Sequence, residues 1–134
     1  MPGIDESLLE AMRLPGARSA AVVDWVSGLA LGVAGEAPGG DHEAAACETA
    51  ELARMVAEYR SFGPLTTARG PDGSTAVPPV EDIITTNADS YHLLRFVTGA
   101  LDGSFFLHLW LARDEGNLAL ARMRLARIAD RMVL

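Results

Sequence analysis

The chain has 134 residues, 49% of them apolar and 22% charged, enough for one globular domain and too apolar for a disordered one. All eleven basic residues are arginine, which excludes a P-loop lysine, a Schiff-base enzyme and a kinase-type lysine as those sites are usually built. The net charge of −7 argues against a nucleic-acid binder, whose affinity rests on phosphate neutralisation. The single cysteine, Cys47, excludes an intrachain disulfide and a thiolate-rich zinc site.

The start of the chain is acidic and amphipathic and lacks the basic lead and apolar core of a signal peptide. The longest apolar run, around 105–112, is far short of the ~20 residues that span a bilayer. A cytoplasmic protein without membrane insertion is the expectation. Ile4, Leu8, Leu9 and Met12 recur at helical spacing and predict a helix over 4–13, stopped by Pro15-Gly16. The segment RSAAVVDWVSGLALGVAG then predicts a β-hairpin that turns over Asp24 to Gly28. The glycines at 32, 35, 39 and 40 match no phosphate-binding pattern and read as a plain loop.

Asp41 is a good N-cap for a long helix over 42–60. One stripe of that helix is Ala46, Ala50, Ala53 and Ala57, and another is Glu51, Arg54 and Glu58, spaced for ion pairs on an exposed face. The alanine stripe has two readings: close packing on the protein's own sheet, or close approach of a second copy. Apolar residues run nearly all round the helix, more than one sheet face can cover, so a second covering surface is expected. Cys47, within it, is expected to be buried and inert. Residues 61–79 are rich in proline and glycine and read as a long loop inside one domain, 1–134.

Three strand candidates follow, at 80–86, 90–97 and 104–112, and Asp114 to Asn117 cap a last helix. The order is therefore α-β-β-α-β-β-β-α: an α+β type of α/β domain, with a five-stranded antiparallel sheet because short turns join most strands. The later strands are apolar on both faces and need cover on both, one helix on one face and two on the other. A two-residue turn at Asp102-Gly103 would put Leu94 and Phe96 on a face with Phe105 and Leu107. Leu93, Val97, Phe106 and Trp110 would share the other face, with His92 and His108 apart and Arg95 opposite Trp110. No metal site is expected on that register. No nucleophile–base pair, GxSxG elbow or cofactor motif is present, so no catalytic, cofactor-binding or metal residue is nominated. On the last helix Leu118, Ala121, Leu125, Ile128 and Met132 form the core stripe. Arg124, Arg127 and Arg131 form another, either a solvated face or a surface facing an acidic partner.

Three segments, RSAAVVDWVSGLALGVAG, EDIITTNADSYHLLRFV and GSFFLHLWLARDEGNLALARMRL, resemble the roadblock / dynein light-chain family, in the MglB-like form found in bacteria beside Ras-like GTPases. The resemblance spans the chain from about residue 4 and rests on apolar spacing. It departs at the Asp24 to Gly28 turn and at the 61–79 loop. It implies a homodimer, or a heterodimer with a related roadblock protein. The central helix would pack on its twin and the strand after it would pair across the dimer, an interface carried by Ala46, Ala50, Ala53, Met55, Ala57, Ile83 and Ile84. Pairing that edge strand also has an independent reason, since an open apolar edge invites aggregation. The resemblance further implies a non-catalytic regulator or scaffold of a Ras-like small GTPase. A small-molecule sensor with an apolar pocket near Phe96, Phe105 and Trp110 is the alternative.

Overall fold

The computed structural model describes residues 3–65, 80–98 and 104–132. The elements are α1 (Ile4–Met12), β1 (Ala17–Asp24), β2 (Leu29–Gly35), α2 (His42–Glu58), β3 (Asp82–Thr86), β4 (Ser90–Val97), β5 (Phe105–Ala112) and α3 (Leu118–Arg131). The expected element order is therefore the observed one. Most of the expected 61–79 loop and all of residues 99–103 lie outside the described residues.

The five strands form one antiparallel sheet in the order β2-β1-β5-β4-β3. β1 pairs with the hairpin partner β2 and with the last strand β5, so the two ends of the chain close the centre of the sheet, and β2 and β3 are its edges. Gly28 closes the first hairpin at φ +78°, a region that costs glycine little and other residues more. Asp41 caps α2 by accepting from the Glu43 and Ala44 N–H groups, and Asn117 caps α3 by accepting from Leu120 N–H. Each cap satisfies donors that the first helical turn leaves open.

α1 and α3 cover one face of the sheet. Leu8, Ala11, Leu125, Ile128 and Ala129 from the helices meet Ala20, Val22, Leu93, Val97, Leu107, Leu109 and Leu111 from the strands. Gly32 lets α1 lie this close to β2, because a Cβ there would stand 2.7 Å from Ile4 Cγ2. Among the described residues α2 covers the other face alone, where Ala46, Ala50 and Ala53 meet Val23, Leu94, Phe96 and Phe106.

The β4–β5 register differs from the expected one. Phe96 pairs with Phe106, Leu94 with His108 and His92 with Trp110. Side chains alternate between faces, so a register shift of odd length exchanges the two sets. Leu94 and Phe96 lie on the α2 face with Phe106, and Leu93 and Val97 lie on the α1/α3 face with Leu107. The expected turn, Asp102-Gly103, lies outside the described residues.

Candidate interaction surfaces

The alanine stripe of α2 is spent inside the protomer. Ala46 is 4% exposed, and Ala50 and Ala53 are fully buried. Of the two readings of that stripe, the structure takes close packing on the protein's own sheet. These three residues, expected at an interface between copies, therefore present no surface to one. Ala57 and Ile83 are half-buried and pack against the same core.

One flank of α2 turns toward the β1–β2 hairpin. Cys47 Sγ lies 3.7 Å from Gly28 O, and Arg54 donates to Trp25 O at 2.6 Å. Arg54 thus holds the hairpin and makes no ion pair with Glu51 or Glu58 among the described residues, contrary to expectation. Cys47 is exposed, not buried. The outward face carries Glu48, Glu51, Met55 and Glu58, all exposed. The remaining flank, on the side away from the hairpin, is Ala45, Thr49, Leu52 and Val56, with no charge and half-buried throughout. Met55 (44% exposed) and Tyr59 (55%) extend it. Its i, i+4, i+7, i+11 spacing is the signal that could have located it. The all-round apolar character of the helix concealed which flank the sheet would leave open.

Among the described residues β3 is an edge strand, with β4 as its one neighbour. Ile83 pairs with Leu94 on the α2 face, and Ile84 pairs with Leu93 on the opposite face, where it is 36% exposed. An apolar helix flank and an open strand edge are the two features that a second copy or a partner could cover. Beside Ile84 a groove of about 700 Å³ runs between β3 and α3, lined by Glu81, Arg95, Arg122 and Met123 among others. Asp82 accepts from Arg122 Nε at 2.8 Å across it.

The histidines meet, contrary to expectation. The register places His92 and His108 on one face, with His92 Nδ1 2.8 Å from His108 Nε2. His92 also stacks on Trp110, with rings 8° from parallel. The cation over Trp110 is Arg18, 5.3 Å from the ring centroid, and not Arg95, which pairs with Leu107 in the sheet and sits 3.6 Å from Asp82. Burial pushes the His108 imidazolium pKa down to about 3, with His92 adding repulsion, and burial lowers His92 as well. The pair is neutral near pH 7. No third histidine, cysteine, aspartate or glutamate joins it to form a metal-binding group among the described residues.

Phe96, Phe105 and Trp110 do not line one cavity. Phe105 lies on the α1/α3 face and Phe96 is buried under α2. On the α1/α3 side, Arg124, Arg127 and Arg131 are exposed as expected and line a second groove, joined by Arg13, which follows α1 directly. The sequence did not point to Arg13, because nothing local to it tells that α1 and α3 are neighbours. No helix among the described residues is long and apolar enough to cross a membrane.

No protein-family model matches the sequence, and no curated protein matches it. Solved structures do. The fold is that of a roadblock domain: a Roadblock/LC7 domain from Streptomyces avermitilis is similar over 96% of this chain and 92% of its own, with a TM-score of 0.69 and 15% identity. Within that class the chain is similar to Myxococcus xanthus MglB, with a TM-score of 0.72 and 16% identity over 95% of this chain and 82% of that one. It is also similar to the gliding protein MglB of Thermus thermophilus, with a TM-score of 0.64 and 21% identity over 95% and 88%.

Proposed function

We propose that this chain is a non-catalytic, cytoplasmic interaction protein that self-associates and regulates or scaffolds a Ras-like small GTPase. The observation that carries the reading is the uncharged flank Ala45, Thr49, Leu52 and Val56 on a helix beside an open edge strand, in a chain with the fold of MglB. Two copies related by a two-fold axis would cover the flank and the β3 edge together, since a two-fold interface uses the same patch on both subunits. Met55, Ala57, Ile83 and Ile84 would border the contact. Ala46, Ala50 and Ala53 would act beneath it by letting α2 lie low on the sheet. The natural second copy is this chain or a related roadblock protein.

The GTPase partner rests on likeness of fold and on the sequence resemblance. Regulation in this reading works through shape: the assembled surface would position the GTPase's own residues, and no arginine of this chain is assigned a role in hydrolysis. The test is binding to small GTPases of the same cell, each loaded with GDP or a non-hydrolysable GTP analogue. Nucleotide-dependent binding that disappears in Leu52→Glu supports the reading. Equal or absent binding in both nucleotide states for every GTPase refutes it.

A further inference from the structure

On the sheet face opposite α2, the ends of α1 and α3 enclose a groove of about 640 Å³ whose charged lining is Glu10, Arg13, Arg124, Arg127, Asp130 and Arg131. Four of the eleven arginines of a chain with net charge −7 gather there. Arg131 is neutralised by Glu10, Nη2 to Oε1 at 2.5 Å, and its Nε donates to Arg127 O. Arg13, Arg124 and Arg127 make no ion pair among the described residues. Leu14 and Ile128 are buried in the shared α1/α3 core, so the walls that carry the guanidiniums are held rigidly. Guanidiniums suit carboxylates, which they bind through paired N–H donors.

We infer that this groove is a docking site for a carboxylate-rich segment of a partner protein. The argument is charge complementarity. With Arg131 paired to Glu10, Arg13, Arg124 and Arg127 outnumber the one remaining carboxylate, Asp130, so the groove keeps an excess of positive charge that a further carboxylate would neutralise. Arg124 and Arg127 lie one turn apart on α3, and Arg13 faces them from the end of α1, so the site offers donors from two sides. The surface lies across the sheet from the α2 flank and does not depend on self-association or on a GTPase. If both surfaces operate, the protein can hold two partners at once.

The test is fluorescence anisotropy with the full chain and a labelled alanine-based helical peptide bearing glutamates at i, i+3 and i+7, beside the same peptide with glutamines. The glutamate peptide is expected to bind, the glutamine peptide not, and the affinity to fall with salt. The double variant Arg124→Glu/Arg127→Glu should lose at least tenfold in affinity, with its melting temperature unchanged because both side chains are exposed. Reversal of Arg113, on another part of the surface, should change nothing. Three results overturn the proposal: equal binding by the double variant, displacement of the peptide by inorganic phosphate at matched ionic strength, or a concentration-dependent rise in mass that the double variant abolishes. The second would make the groove a small-anion site, and the third would assign it to another copy of this chain. Failure of nucleotide-dependent GTPase binding would leave this result untouched.

Discussion

The two faces of the sheet are built differently. On one, two helices and long aliphatic side chains make a thick core in which Leu107, Leu109 and Leu125 are fully or almost fully buried. On the other, a single helix lies on three alanines, and the end of the face beyond it is filled by a histidine pair, an indole and an arginine. The first face is closed within the protomer. The second leaves an uncharged helix flank and an open strand edge. Stability is therefore concentrated where α1 and α3 pack, and the proposed recognition of a second copy falls where α2 packs thinly. The same sheet serves both because neighbouring residues on each strand point to opposite sides.

The largest expected effect belongs to the thick face. Leu125→Ala should cost about 2–5 kcal/mol, the usual range for a buried leucine whose site cannot collapse, measured by urea unfolding. On the thin face the damaging change is enlargement. Ala50→Leu should lift α2 from the sheet at a cost of about 1–3 kcal/mol and also weaken self-association. If both variants lost equal stability and equal association, the two faces would not differ as described.

Next in size is the pH dependence of the thin face. The folded protein holds His108 neutral, whereas the unfolded chain protonates it near the ordinary value of 6.5. Its neutral form therefore contributes stability that is full above pH 6.5 and is lost as pH falls from there toward the folded pKa of about 3. The slope should approach about 1.4 kcal/mol per pH unit within that window. His108→Leu should flatten the part of the curve between pH 6.5 and 5.5, where carboxylates contribute little. The smallest effect is expected at Arg122→Ala, which removes an ion pair whose guanidinium is half exposed. Exposed pairs contribute about 0–1 kcal/mol, so the change should be no larger than that and should shrink in salt.

Features set by neighbours in the chain were legible in the residues. The hairpin closed by Gly28, the Asp41 and Asn117 caps and the helical stripe from Leu118 to Met132 all follow from local spacing. So did the division of the helices, because strands apolar on both sides demand two covers. Features set by the register between distant strands were not. The expected register assumed a two-residue turn at Asp102-Gly103, and the observed pairing of Phe96 with Phe106 puts the β5 side chains on the other face. That one error separated His92 from His108 and set Arg95 beside Trp110. The interaction surface was half legible. The excess of apolar positions on α2 pointed to an uncovered flank, and the alanines turned out to be the side pressed onto the protein's own sheet, which small residues allow. Arg13 became part of a groove only once α1 and α3 were known to be neighbours.

The central claim is that the Leu52–Val56 flank and the β3 edge are covered by a second copy. Sedimentation equilibrium of the purified chain at micromolar concentration tests it most directly. The expected mass is twice the 14.2 kDa of one chain, returning to a single chain in Leu52→Glu/Val56→Glu with the fold intact by circular dichroism. A wild-type mass of 14.2 kDa across the micromolar range, or a dimer that the double variant leaves unchanged, would contradict it.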